Sequence, residues 1–331
     1  MATLKDVAKL ANVDVSTVSR ALNNTSYVHP ETKERIYAAA KQLGYRPNAM
    51  ARALRQGRSH IIGVVVPRLH LTIFSEILQG IETAAQKQGY MTTVCVTEDD
   101  PKVERDRLGR LRDVGVDGII IAATGRNGRI LRDIQAGGVP VVQLVRRQEL
   151  DMSSVVADYE ACGRDAVHFL ASKGCRAIGL IAGSQELAPY RGRYEGYRQA
   201  IHELGLEEIT IGSDRKVNSF GYGYECACQL LDENPELDAI LAAVDVQGLG
   251  AIRAAVERGL RVPENLKIIS LTGHRVGRML ETTMTSMEMP AFEMGKTAAE
   301  LVVEEIEADA KHKVSHRHIN FSTALVERES T

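Results

Sequence analysis

The chain has no apolar run long enough to cross a membrane. Its longest apolar runs, such as IIGVVV at residues 61–66, fall far short of the roughly 20 residues a spanning helix needs. The opening MATLKDVAKL has no apolar stretch of the kind a secretory signal requires, so a cytoplasmic protein is expected. Cysteine is scarce and scattered. Of Cys95, Cys162, Cys175, Cys226 and Cys228, only the last two are close-spaced, and no second Cys or His pair stands near them to close a tetrahedral metal site. Reduced thiols acting as small hydrophobes are expected, with no metal. Enzyme signatures are missing too. There is no Gly-x-Ser-x-Gly and no His-Glu-x-x-His. The MGKT at residues 294–297 has Pro290 where a phosphate-binding loop needs its first glycine, and reads as amphipathic helix. Nothing implies a cofactor.

The 331 residues are too many for one typical domain and suit two or three. The net charge of −2 hides a split. Residues 1–59 carry ten Lys/Arg against four acids, a net +6, which leaves −8 on the remainder. A basic head on an acidic body fits a separate polyanion-binding module.

The pattern in the head is more specific than its charge. Thr3 stands before LKDVAKLA as an N-cap, with Asp6 at the capping-box position. Val7 and Ala11 share a face. Asn12-Val13-Asp14 reads as a turn into a second short helix, residues 15–22, with Val18 and Leu22 inward and Ser16, Thr17, Ser19 and Arg20 outward. That helix is rich in β-branched and hydroxyl residues, so it forms only when packed. Short polar side chains beside one arginine suit a helix pressed into a major groove. Pro30 opens a third helix with Ile36, Ala39, Ala40 and Leu43 on its apolar face and Gly44 as its stop. Two short helices joined by a three-residue turn, with a third behind, make a helix-turn-helix unit.

TLKDVAKLANVDVSTVSRALNN followed by VHPETKERIYAAAKQLGYRPNAMARALR resembles the DNA-binding head of the lactose-repressor family of bacterial transcription regulators over essentially all of residues 3–58. The resemblance implies that Val15, Ser16 and Arg20 reach base edges, with Thr17 on the same helix. It places Thr3, Ser19, Asn23 and Lys33 on phosphates. It also implies that Asn48 to Arg55 form a hinge helix ordered on operator DNA, with Leu54 wedged into a minor-groove base step.

From His60 onward, apolar runs alternate with amphipathic stretches such as FSEILQGIETAAQKQGY. The runs, at 61–66, 118–122, 139–145, 177–182, 239–244 and 267–271, are short and rich in Ile and Val. That is the pattern of parallel strands covered by helices, and it occurs twice. The fold expected is a small all-α head plus an α/β core of two doubly wound parallel-sheet lobes, with ligand at the carboxyl ends of the strands between them. The core is similar to the periplasmic-binding-protein-like core of the same family. The organisation expected is a helix-turn-helix domain at 1–46, a hinge and linker at 47–59, and a core at 60–331. The resemblance implies that, within the core, lobe 1 takes about 60–158 plus 290–307, and lobe 2 takes about 159–289 plus 308–331.

Carried over by position, the family resemblance marks Ile73, Phe74, Arg146, Arg193, Asn218 and Asp245 as effector-binding. Thr272 stands where the family usually has an aspartate for a sugar hydroxyl pair, with His274 two residues on. Arg146, Arg193 and His274 fit an anionic sugar acid or sugar phosphate, and a simple sugar remains open. The implied protein is a homodimeric repressor of carbohydrate uptake or catabolism genes, binding pseudo-palindromic double-stranded operator DNA. Two other readings stand beside it: control by a phosphorylated carrier protein, and a sugar-processing enzyme. No C-terminal heptad run for tetramerisation is present.

Overall fold

The computed structural model describes residues 2–23, 26–45, 58–69, 71–212, 219–273, 275–308 and 315–331. They group into two units, Met1–Ser59 and His60–Thr331. Asn48, Leu54, Asn218 and His274 lie outside the described residues.

In the first unit, α1 (Leu4–Ala11), α2 (Val15–Asn23) and α3 (Pro30–Gln42) enclose a core that includes Val7, Ala11, Val18, Ala21, Ile36 and Ala39. The capping box at Thr3 is formed. The Thr3 hydroxyl oxygen accepts from the Asp6 N–H at 3.3 Å, and the Asp6 carboxylate accepts from the Thr3 N–H at 2.8 Å. Its bonds to the Thr3 side chain and backbone hold the Asp6 carboxyl below its ordinary value. Asn12 ends α1 in the left-handed region, φ 51°, which asparagine tolerates. One expectation shifts in α2. The buried stripe runs through Val18 and Ala21, three residues apart, and leaves Leu22 half-buried at its edge. Gly44, φ +60°, follows α3, and the Tyr45 N–H reaches back to the Ala40 carbonyl at 2.8 Å, closing the helix as a C-terminal glycine does.

The second unit holds two six-stranded sheets. The first contains β1 (Ile61–Val66), β2 (Met91–Val96), β3 (Gly118–Ile121), β4 (Val141–Leu144) and β5 (Ser154–Ala157). The second contains β6 (Ile178–Ile181), β7 (Ile209–Ile211), β8 (Ala239–Ala242), β9 (Lys267–Gly273) and β10 (Thr285–Glu288). The C-terminal strands β11 (His318–Phe321) and β12 (Ala324–Val326) finish one sheet each. The strand orders are β11-β5-β4-β3-β1-β2 and β12-β10-β9-β8-β6-β7. Every pairing is parallel except β10 with β12. Apolar clusters lie on both faces of each sheet, as parallel strands require.

The chain passes between lobes after β5, after β10 and between β11 and β12. The expected lobe 2 boundary needs one correction. His318–Phe321 pairs with Ser154–Ala157 in the first sheet, so the tail after residue 308 does not belong wholly to the second. β11 is a half-exposed edge strand with no apolar run, and nothing in its pattern selects a sheet.

Glycines set the spacing of three helix pairs. A Cβ on Gly80 would lie 2.0 Å from the Phe292 carbonyl oxygen, and one on Gly295 would lie 2.0 Å from that of Ile77. Helices Thr72–Lys87 and Ala291–Glu307 therefore touch backbone to backbone. Gly163 and Gly196 do the same for Tyr159–Ser172 against Ala188–Glu203, at 2.1 Å from Arg193 O and 1.9 Å from Glu160 O. Gly223 and Gly250 serve Phe220–Glu233 against Asp245–Glu257. Gly80→Ala should lower stability by about 1–3 kcal/mol through overpacking. Gly109→Ala, in a helix with open space around it, should raise it by about 0.5–1 kcal/mol. Thermal unfolding of the two variants checks this, and equal shifts of the same sign would refute the interlock.

Candidate functional site

Two places concentrate side chains that packing does not explain. The first is the outer face of α2. Val15 is 40% exposed, and Ser16 and Arg20 are exposed one turn apart. The Arg20 Nε–H donates to the Ser16 carbonyl at 3.3 Å and its Nη2 to the Ser16 hydroxyl at 3.4 Å. The guanidinium is thereby held along the helix. Thr17 and Ser19, expected outward, are half-buried, since they turn toward the flanks of the short helix. Asn23 donates to the Ser19 carbonyl at 2.7 Å. The Lys33 ammonium sits 5.9 Å over the Tyr37 ring, whose hydroxyl donates to the Ala21 carbonyl at 3.4 Å. Thr3 is exposed at the start of α1, with its hydroxyl donating to the Asp6 carboxylate at 2.7 Å. The face can accept a polyanion along its flanks and read polar edges through Ser16 and Arg20.

The second place lies between the lobes at the carboxyl ends of the strands, where side chains of both sheets meet. Leu71, Ile73 and Phe74 come from beyond β1, Asp99 from beyond β2, and Val145 and Arg146 from beyond β4. Pro189, Tyr190 and Arg193 follow β6, Val244 follows β8, Thr272 ends β9, and Met289 follows β10. They enclose about 40 Å³, room for a few water-sized molecules. A sugar-sized ligand needs the lobes to part. Polar contacts that join them include the Thr72 hydroxyl donating to Asp245 at 2.9 Å, Arg126 paired with Glu186 at 2.9 Å and the Tyr159 hydroxyl donating to the Val145 carbonyl at 2.8 Å. A larger surface groove of about 750 Å³ lies between Glu160, Arg198 and His202 on the outer face of the second lobe. It is open and away from the strand ends, so the smaller cleft is the stronger candidate.

Arg146 enters the cleft on a strained turn. Val145 has φ +65°, and the Arg146 N–H closes back on the Leu144 carbonyl at 2.7 Å, a three-residue turn that costs a β-branched residue about 1–3 kcal/mol. The Val145 N–H bonds to Val155 O at 2.8 Å, and the Val145 carbonyl accepts the Tyr159 hydroxyl at 2.8 Å. These bonds hold the turn. Arg146, 4% exposed, pairs with Asp99 at 2.6 Å and also donates to the Ala123 carbonyl at 3.2 Å.

Arg193, 3% exposed, is treated differently. Its guanidinium carbon lies 5.0 Å from the Tyr159 ring centre and 6.0 Å from that of Tyr190, a cation held on aromatic faces. Its Nη2 is 4.0 Å from the Met289 sulfur, and its Nε has no hydrogen-bond partner. Burial, partly opposed by Arg193, pushes the Tyr159 hydroxyl up to about 12. Burial also raises the Cys162 thiol in the same wall, which keeps it a neutral hydrophobe.

The structure thus brings Ile73, Phe74, Arg146, Arg193 and Thr272 around one cavity, with Asp245 at its rim. Asp99, Tyr159, Tyr190 and Met289 were not anticipated. Tyr190 could have been found, since it precedes Arg193 by three residues on one helix face. Asp99 follows β2, an exposed edge strand without an apolar run. The MGKT segment is the body of helix Ala291–Glu307, with Met294 and Gly295 buried. Among the described residues no helix is long and apolar enough to cross a membrane.

Two family models match the chain. Residues 3–48 match the model for bacterial regulatory proteins of the lacI family, and residues 59–323 match that for periplasmic binding proteins and the sugar-binding domain of the LacI family. The chain is 31% identical over 331 residues to the ribose operon repressor of Halalkalibacterium halodurans, covering all of this chain and 97% of that protein. It resembles the structure of the transcriptional regulator CelR in complex with cellobiose, at 29% identity and TM-score 0.74, with both chains covered fully. It also resembles the lac repressor dimer bound to operator and the anti-inducer ONPF, at 25% identity and TM-score 0.85, covering 99% of this chain and 98% of that one.

Proposed function

The chain belongs to the LacI family of bacterial regulatory proteins, and from that membership we propose that it is a sequence-specific transcriptional repressor whose operator affinity is set by a small carbohydrate effector held between the core lobes. It acts in the cytoplasm as a homodimer on pseudo-palindromic operators of carbohydrate uptake or catabolism genes. Two-fold symmetric heads call for two half-sites. Residues 47–59 serve as hinge and linker, with Asn48 and Leu54 on the DNA. In α2, Val15, Ser16 and Arg20 read bases, while Thr17 supports that face and Thr3, Ser19, Asn23 and Lys33 hold the backbone. Ile73, Phe74, Arg146, Arg193, Asn218, Asp245, Thr272 and His274 surround the effector.

The observation that carries this reading is the pairing of an exposed Ser16–Arg20 face with a cleft whose polar groups converge from both lobes. The relatives named above are repressors and regulators, not enzymes, and sugar turnover is set aside.

Selection of genomic fragments on the purified full chain tests the proposal. A single pseudo-palindromic motif is expected, with affinity that changes when sugars are added. Arg20→Ala should relax preference at one base position in each half-site, costing about 1–3 kcal/mol of discrimination. Recovery of random fragments by the wild-type chain would refute sequence-specific binding.

A further inference from the structure

The donors and acceptors of the cleft do not balance, and the imbalance identifies the ligand's chemistry. Two guanidinium groups line the cavity, Arg146 and Arg193, against one carboxylate, Asp99. Asp99 is already engaged: one oxygen lies 2.6 Å from Arg146, and the other 3.9 Å from Arg68. Among the described residues no carboxylate lies within ion-pairing reach of Arg193, whose neighbours include two tyrosine rings, a methionine sulfur and the Cys162 thiol. The Nε of Arg193 and the Nε of Arg146 are both buried without a hydrogen-bond partner. The Thr272 hydroxyl donates its hydrogen bond to the Ala243 carbonyl at 2.9 Å, and Asp245 at the rim accepts from Thr72.

A neutral sugar presents hydroxyl donors that need acceptors, and this cavity has few to spare. What it has in excess is buried, directional N–H with positive charge. A charged group taken out of water without a counter-charge is unfavourable by several kcal/mol, and a guanidinium offers a fork that matches two oxygens of one anion. Among the described residues, the side chains that line the cavity itself carry one positive unit, with Asp245 at the rim held by Thr72, and a carboxylate matches it. A phosphate monoester, at about −1.5 to −2, exceeds it.

Resting on the effector reading above, we propose that the cleft selects a small polyol monocarboxylate, a sugar acid, whose carboxylate docks on Arg193 while its carbon chain lies against Phe74 and Val145. Tyr159 and Tyr190 hold the guanidinium from its own lobe. Gly163 and Gly196 seat the Arg193 helix against the Tyr159 helix at backbone contact, so the cation is rigidly presented to the ligand.

Calorimetry on the full chain with D-gluconate, D-ribonate, D-glucose, D-ribose, glucose 6-phosphate and ribose 5-phosphate tests the inference. At least one aldonate is expected to bind tenfold or more tightly than the neutral aldose of the same carbon number. Arg193→Gln should weaken that aldonate roughly ten- to a hundredfold and weaken neutral aldoses far less, while Arg193→Lys, which keeps the charge, recovers part of the loss. Circular dichroism of the variants separates loss of a contact from loss of fold, and Arg193→Lys remains informative if Arg193→Gln does not fold. A neutral aldose binding as tightly as its acid, or an aldonate indifferent to Arg193→Gln, overturns the anion assignment and leaves the repressor reading intact. Phosphates binding more tightly than carboxylates overturn the carboxylate, as does the absence of heat from both acids. Failure to select operator DNA overturns the repressor reading, while the calorimetry still decides the ligand.

Discussion

A chain lacking residues 1–59 is expected to bind effector as the full protein does and to bind operator no better than random DNA. The two units have separate cores. Val7, Val18 and Ile36 anchor the head, whereas the sheets of the second unit are covered on both faces by their own helices. Charge sharpens the expectation, because the head carries +6 and the remainder −8. DNA binding draws most of its non-specific affinity from phosphates neutralised by Lys and Arg, so the truncated chain loses attraction as well as reading. Specific binding in such systems exceeds non-specific binding by about 10³–10⁷, and that whole ratio should disappear. Fluorescence anisotropy with labelled operator and with a scrambled duplex measures it. Residual discrimination between the two duplexes by the truncated core would place base reading outside α2.

The head was legible in the sequence because each of its signals is local. The Thr3–Asp6 box, the Asn12 turn and the Pro30 start are formed as read, since a cap depends on residues three or four apart. The central strands were legible for a similar reason: β1, β3, β4, β6, β8 and β9 are buried on both faces and appear as short, largely apolar runs. The remaining six strands were not. β2, β7, β11 and β12 end their sheets, where one side of the strand has no neighbour and the sequence need not be apolar. The cleft was half legible. Arg193 and Arg146 stood out as charges beside strand ends, but their counter-groups come from elsewhere in the chain. Asp99 meets Arg146 across 47 residues and Tyr159 meets Arg193 across two helices, and no periodicity encodes that meeting.

Asp99→Asn is expected to be among the most destabilising single changes in the core. The substitution keeps the shape of the side chain and removes its charge. Arg146 is then left 4% exposed beside Arg193, also buried, with no carboxylate in the lining. Breaking one side of a buried ion pair costs about 3–5 kcal/mol, which for a unit of this size lowers the unfolding midpoint by about 10 °C. Arg146→Met alone should cost less, because Asp99 keeps Arg68 at 3.9 Å. The double variant Asp99→Asn/Arg146→Met should recover much of the loss, since the uncompensated charge is gone and the long apolar side chain fills its space. A thermal-unfolding cycle over the four proteins reads the coupling directly. A saturating aldonate should raise the midpoint of Asp99→Asn more than that of wild type, because it brings a negative charge into a lining that has lost its carboxylate. If Asp99→Asn unfolds within a degree of wild type, the pair contributes nothing and Arg146 is satisfied by the Ala122 and Ala123 carbonyls alone. Arg193 is then the one described guanidinium of the lining left without a countercharge.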